Sequence, residues 1–296
     1  MTQVTRRRFL RDGLTGVGAV ACSGSLLTGA PTRKSATDLV TLGRSGIKVT
    51  RLGIGTGTRG GRVQRDLGQD GFTRLLRYAY DRGIRFFDTA DSYRTHEMVG
   101  TALKGIDRDS YFLQTKMGWR NDPDPFQIID RFRKELQTDY FDSLLLHCTR
   151  TGDWKETLKR QMDLLEEAKQ KQLVRTHGAS CHGLLPLEVM PGTSWLDVAL
   201  VRVNHNGAHM DGLRSRDGEQ GDRDRAVTAI RKIHQSGTGV IGMKIMGEGD
   251  FTDPQERDAS IKYVMSLDCV DAVVIGFASP AEIDEAIERM NRHLNA

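Results

Sequence analysis

The sequence predicts an α/β protein, a (β/α)8 TIM barrel with an N-terminal β-hairpin. Three observations predict it. From Asp38 onward, eight short apolar runs alternate with eight helical patterns. They fill about 260 residues, the usual size of this barrel. No Pro-rich, Ser-rich or charge-rich linker divides them, so 38–296 reads as one domain. Alternation alone also fits a doubly wound sheet, which remains the competing architecture.

The hairpin comes first. Residues 39–42 and 47–49 alternate on either side of Gly43-Arg44-Ser45-Gly46. Strand runs follow at 51–56, 85–88, 111–116, 141–147, 173–178, 198–203, 239–243 and 272–276. Helical stretches separate them at 70–82, 95–104, 124–138, 155–171, 183–190, 222–236, 254–266 and 280–293. Leu75, Tyr78 and Ala79 keep the 3.6-residue period, as do Leu158, Met162, Leu165 and Ala168. The segment 206–221 carries Gly207, Asp211, Arg214, Asp217 and Gly221 and reads as a solvated loop. With 117–127 it would border a pocket, Trp119 and Phe126 giving an apolar wall.

Composition narrows the function. Apolar residues make up 38% of 296, with 32 Gly and 7 Pro, which excludes a disordered or collagen-like chain. A mean hydropathy of −0.45 argues against a polytopic membrane protein. Four cysteines are too few for a disulfide scaffold. The net charge is +4, but Arg6, Arg7, Arg8, Arg11 and Asp12 sum to +3, leaving +1 for the rest. No basic stripe with interleaved aromatics remains there to bind nucleic acid.

Residues 1–30 read as a signal peptide, with a basic start and an uncharged stretch from Gly13 to Ala30. Half of that stretch is Gly, Ser or Thr, a poor spanning helix. Thr5-Arg6-Arg7-Arg8-Phe9-Leu10-Arg11 resembles a twin-arginine export signal. The resemblance implies folding in the cytoplasm, the twin-arginine machinery as a partner, and delivery to the periplasm or cell surface. Cleavage after Ala30 or Ala21 fits, and Cys22 would touch the membrane only if lipidated. Beyond it Cys148, Cys181 and Cys269 remain, an odd count that argues against a closed disulfide set.

Barrel chemistry sits at the C-terminal strand ends. Phe86-Phe87 ends in Asp88, 111–115 leads to Lys116, and Leu144-Leu145-Leu146 ends in His147. Tyr93 follows Asp88 by five residues, within reach of the same mouth. Singly these fit a cap, a snorkelling lysine, a core histidine and a surface aromatic. Together they describe one site. Asp88 would hold Lys116 by a charge-assisted bond. A cationic Lys116 would lower the pKa of Tyr93. Tyr93 would then protonate a carbonyl oxygen that His147 orients. The hydride must come from a cofactor.

These residues resemble the aldo-keto reductase superfamily. Gly83-Ile84-Arg85-Phe86-Phe87-Asp88-Thr89-Ala90-Asp91-Ser92-Tyr93, continuing through Glu97 to Gly100, is similar to its signature. Lys116 in Leu113-Gln114-Thr115-Lys116 and His147 in Leu144-Leu145-Leu146-His147 fall at the family's lysine and histidine. The likeness runs over about 39–290 and includes the hairpin and Leu52-Gly53-Ile54-Gly55-Thr56. It implies a (β/α)8 barrel and NAD(P)H-dependent reduction of an aldehyde or ketone, or the reverse.

The resemblance also implies cofactor positions. Gly55 and Thr56 fall in the first loop near substrate and nicotinamide, and Ser180 at the nicotinamide amide. The family's next Asn and Gln are Cys181 and Arg202 here, and its stacking aromatic is Met243. Gly247 lies in the glycine-rich diphosphate loop 242–249, where Lys244 could add a charge, and Glu285 matches an adenine-side Glu. The family implies NADP(H). Glu282 near the usual 2′-phosphate-binding Arg implies that NAD(H) is used as well. Gly55-Thr56-Gly57-Thr58-Arg59-Gly60 satisfies G-x-G-x-x-G, but the expected helix waits until residue 70, which argues against a dinucleotide-binding turn.

Two other classes compete. The substituted cofactor positions fit an exported nicotinamide-nucleotide-binding module with little or no turnover. His147, Cys148, His177, Cys181, His182 and His205 near strand ends motivate a metal-dependent hydrolase, but their spacing matches no metal motif and Lys116 would repel a cation.

Overall fold

The structure is a computed structural model and describes residues 33–118, 125–216 and 218–296. The signal-like residues 1–30 and Trp119 lie outside them. Residues Lys34–Ala296 form one compact unit. A hairpin of β1 (Leu39–Thr41) and β2 (Lys48–Thr50) opens it. The barrel strands are β3 (Leu52–Gly55), β4 (Phe86–Asp88), β5 (Phe112–Met117), β6 (Phe141–Thr149), β7 (Val174–Cys181), β8 (Val198–Arg202), β9 (Gly239–Met243) and β10 (Ala272–Ile275). They pair in parallel in sequence order, and β10 returns to β3 to close the barrel. A closed barrel rules out the doubly wound sheet.

The described helices are α1 (Arg62–Asp66), α2 (Gly68–Asp81), α3 (His96–Leu103), α4 (Pro125–Leu136), α5 (Trp154–Thr157), α6 (Lys159–Gln170), α7 (Leu184–Glu188), α8 (Arg223–Gln235), α9 (Pro254–Met265) and α10 (Pro280–His293). None is long and apolar enough to cross a membrane. Their buried stripes meet the outward strand residues, as Leu75, Leu76 and Ala79 of α2 do.

Side chains alternate across a strand, so every second residue enters the barrel. A lower inner layer is apolar: Phe86, Phe112, Leu145, Val198 and Ile241 pack together, and Leu42 and Val49 of the hairpin region plug them from below. Phe86 and Phe112 meet edge to face, ring centroids 5.0 Å apart. Gly53 leaves room for this, since a Cβ there would lie 2.4 Å from the Phe86 ring. Two residues further along, the same faces carry Asp88, Gln114 and His147, and Lys116 follows Gln114 by two more.

Three sequence expectations are corrected. The single helix at 155–171 is two, because Leu158 (φ −109°, ψ 14°) breaks the regular turn. The helix expected near residue 70 is preceded by one-turn α1, whose Arg65 guanidinium donates to the Gly60 and Tyr93 carbonyls. The segment 206–221 is not solvated throughout. Met210 and Asp211 are fully buried, and Ala208 bridges Gln220. Phe126 is partly buried and packs on the core, with the Lys171 ammonium 3.9 Å over its ring.

Candidate active site

Strand β4 delivers Asp88 and β5 delivers Lys116 to one point. The Lys116 ammonium donates to Asp88 Oδ2 at 2.7 Å and to the Thr89 carbonyl at 2.8 Å. Gln114 Nε2 holds the other carboxylate oxygen at 2.8 Å. Lys116 is completely buried and Asp88 nearly so. Burial pulls the Lys116 pKa below the ordinary lysine value, and the Asp88 charge opposes that.

Tyr93 ends a short 3-10 turn, Asp91–Tyr93, after β4. Its ring lies 4.9 Å from the Lys116 ammonium, and its hydroxyl is 3.4 Å from His147 Nε2. Ser92 Oγ is 3.3 Å from Nδ1 of the same imidazole. Burial holds His147 well below the usual histidine pKa; the Lys116, His182, Lys244 and Arg150 charges add to it. At neutral pH this ring is uncharged. The structure therefore brings Asp88, Tyr93, Lys116 and His147 together.

Gly57 is the contact that lets Tyr93 lie flat against the first loop: a Cβ there would sit 2.5 Å from the ring. Adjoining cavities open from this point. One, of about 530 Å³, is lined by Tyr93, His147, Cys148, His182, Arg202 and Lys244 among others. A second, of about 320 Å³, lies under α9 and α10 between Met246, Phe277, Arg257, Glu285 and Arg289. A narrow channel joins them past Gly55, Met243, Gly249 and Gly276.

The expected cofactor residues divide. Gly55 lines the channel and Glu285 the far cavity. Gly247 (φ +55°) lines neither, though its neighbours Met246 and Glu248 line the channel, and a Cβ on it would strike Phe251 at 2.6 Å. Met243 lines the channel. Thr56 and Ser180 are fully buried. The Thr56 hydroxyl is 3.0 Å from that of Thr95, and Ser180 Oγ accepts from Cys148 N at 3.1 Å.

Glu282 lines the far cavity, and its carboxylate accepts from Ala278 N at 2.8 Å, so it also caps α10. Sequence reasoning missed Arg257 and Arg289. Both donate to Glu285, each from Nε at 2.9 Å, and their charges hold its carboxyl below the usual range. The i, i+4 spacing of Glu285 and Arg289 was a usable signal. Arg257, 28 residues upstream, left none.

Of the six possible metal donors, His147, Cys148 and His182 converge, with ligand atoms within 4.8 Å. Arg202 stands against a metal there. Its guanidinium donates to His182 Nδ1, so a neutral ring carries its proton at Nε2, on the Cys148 side. His177 turns outward, stacked on Trp195 and bonded to Glu166.

A closed parallel barrel bearing this mouth defines the class, a (β/α)8 barrel with its polar cluster at the strand ends. The family model described as the Aldo/keto reductase family matches residues 51–262, and the chain belongs to that family. L-galactose dehydrogenase from Arabidopsis thaliana is 29% identical, over 84% of this chain and 87% of its own length. Two solved aldo-keto reductases share the fold. The holo form from Bacillus halodurans gives a TM-score of 0.68 at 18% identity, covering 87% of this chain and 95% of that one. The Klebsiella pneumoniae protein in complex with NADP and acetate gives 0.64 at 20%, covering 85% and 89%.

Proposed function

We propose that this chain reduces an aldehyde or ketone to an alcohol with NAD(P)H, or runs the reverse, with Tyr93 as the proton donor. One observation carries the reading: a phenol, a buried Lys–Asp pair and a neutral imidazole meet at one end of a cavity. A nicotinamide cofactor fits the remainder, because the glycine-walled channel leads from Tyr93 to a cavity of paired arginines and glutamates. Gly55 and Glu285 would line its path, with Gly247 beside it and Thr56 and Ser180 beneath. The Klebsiella pneumoniae neighbour holds NADP. When bound, the cofactor supplies the hydride.

The chain's own residues do the rest. With Ser92 donating to Nδ1, neutral His147 presents Nε2–H to the carbonyl oxygen. That bond orients the substrate and stabilises charge building on oxygen. Tyr93 gives its proton to the same oxygen. The phenolate left behind faces the Lys116 ammonium, which Asp88 and Gln114 keep in place.

Equilibrium titration of the full-length chain with NADPH and NADH, then steady-state assays on a carbonyl panel, tests this. An aldose belongs in the panel because of the L-galactose dehydrogenase likeness. Saturable binding with turnover supports the reading. Binding without turnover on any carbonyl or alcohol would favour the nucleotide-binding module. We further infer that residues 1–30 direct twin-arginine export. Replacing Arg6 and Arg7 by Lys should then retain the protein in the cytoplasm.

A further inference from the structure

The same mouth holds a thiol that carbonyl reduction does not use. Cys148 directly follows His147, and regular alternation would turn it outward. Instead the β6–β7 register shifts between Leu146 and Thr149, and Cys148 adopts φ +60°. This bulge re-aims the side chain, so that both His147 and Cys148 line the cavity of about 530 Å³.

The surroundings suit a thiolate. Cys148 Sγ lies 3.5 Å from His182 Nε2. Arg202 fixes the tautomer that directs Nε2–H at the sulfur. From β5 the Lys116 ammonium acts on the thiol, and Arg150 follows it two residues along the chain. Lys244, after β9, lines the same cavity, as does Glu248, which is ion-paired to it. Tyr93, neutral His147 and His209, which is bonded to Asp250, also line this cavity. Cys181 and Cys269 differ: burial pushes both thiols up.

We propose that Cys148 is a modification site, a thiolate that exchanges with low-molecular-weight disulfides and thereby blocks the carbonyl pocket. The thiolate attacks one sulfur of the disulfide RSSR. A Cys148–SR bond forms as the RS–SR bond breaks, and the departing RS⁻ takes a proton from solvent. One disulfide is consumed and one is made, so no other oxidant is required. The exchange assumes no particular enzyme reaction; only its effect on turnover rests on the function proposed above.

The test treats the full-length chain with 4,4′-dithiodipyridine between pH 5 and 9 and quantifies each labelled peptide by mass spectrometry. At pH 7 Cys148 should label about tenfold faster than Cys181 or Cys269, with a rate midpoint below the ordinary thiol value of about 8.5. His182→Asn should move that midpoint upward and leave Cys269 labelling unchanged. Equal rates for the three cysteines, or an ordinary midpoint for Cys148, would overturn the proposal. The wild-type profile decides the matter even if His182→Asn does not fold. Glutathione disulfide should then add an adduct on the Cys148 peptide, and none on the Cys181 and Cys269 peptides, that dithiothreitol removes. A chain with no carbonyl turnover but with this labelling pattern would refute the enzyme reading alone.

Discussion

On the β4–β6 side of the barrel mouth, Asp88, Gln114, Lys116 and His147 stand on strands; on the β7–β10 side, most polar groups arrive from helices and loops. The first side is buried and paired within itself: Lys116 and Asp88 meet directly at 2.7 Å. The second side is part-exposed, with Glu285 shared between Arg257 and Arg289. Its ion pairs are closed by long side chains that water reaches. A buried charge on a strand has one geometry and, here, one counter-charge. A surface cluster has several, and loses less when one member is removed. The two sides should therefore respond differently to the same kind of substitution.

The largest contrast lies in catalysis. Tyr93→Phe should cut turnover by roughly 10²–10⁴ fold, the range for loss of a positioned proton donor. Its affinity for NADPH should stay within about twofold, since the hydroxyl faces His147 rather than the far cavity. Steady-state kinetics and a binding titration on one preparation check both. Unchanged turnover would remove Tyr93 from the role.

In stability the contrast runs the same way. Asp88→Asn leaves the Lys116 ammonium in the barrel without a counter-charge, at an expected cost of about 3–5 kcal/mol. Glu285→Gln removes a carboxylate that is itself 31% exposed, and Arg289 keeps Asp258, so the change should cost under about 1 kcal/mol after solvent screening. Urea unfolding of both variants measures the difference. Equal losses would mean that strand placement does not govern the energetics of this mouth.

Acid should act through the buried histidines. His147, His96 and His177 all have pKa values lowered from 6.5 by burial. Below pH 6.5 the unfolded chain takes protons that the folded chain refuses, so more protons are bound in the unfolded state. The part these rings supply is full above about pH 6.5 and falls as pH drops, each histidine contributing at most about 1.4 kcal/mol per pH unit, while Asp211, its carboxyl pushed up to about 7, has the opposite slope and offsets one of the three. Urea midpoints between pH 5 and 8 give the slope. A flat profile would mean that these rings are charged in the folded protein.

How much of this was legible in the sequence follows the same division. Asp88, Lys116 and His147 end apolar runs, and strand alternation then places them without further information. Cys148 could not be placed that way, because the bulge after Leu146 reverses the alternation and nothing in Leu146-His147-Cys148-Thr149 announces it. Asp211 sits in a polar stretch yet is fully buried 3.9 Å from Arg202 Nε, and burial pushes its carboxyl up to about 7. That loop turns inward where Met210 joins the buried core and the Gly212 carbonyl accepts from Leu184 N, a contact distant in sequence. Arg257 likewise meets Glu285 only because α9 and α10 lie side by side.

Glu282 gives the smallest and most specific effect. It lines the far cavity with Arg257, Arg289 and Glu285, so two cations face two carboxylates and the lining is close to neutral. Such a lining gives a 2′-phosphate little net attraction, and NADH should bind with an affinity close to that of NADPH. Glu282→Gln keeps an oxygen able to accept from Ala278 N, which preserves the cap while removing the charge. NADPH affinity should rise by about threefold to tenfold, and NADH affinity should not change, because one exposed charge at contact distance is worth on the order of 1 kcal/mol. Added salt should shrink the gain, since the Debye length is about 8 Å at physiological ionic strength. Paired titrations at low and high salt decide it. A wild-type chain that already binds NADPH far more tightly than NADH would show that the arginines, and not Glu282, set the preference.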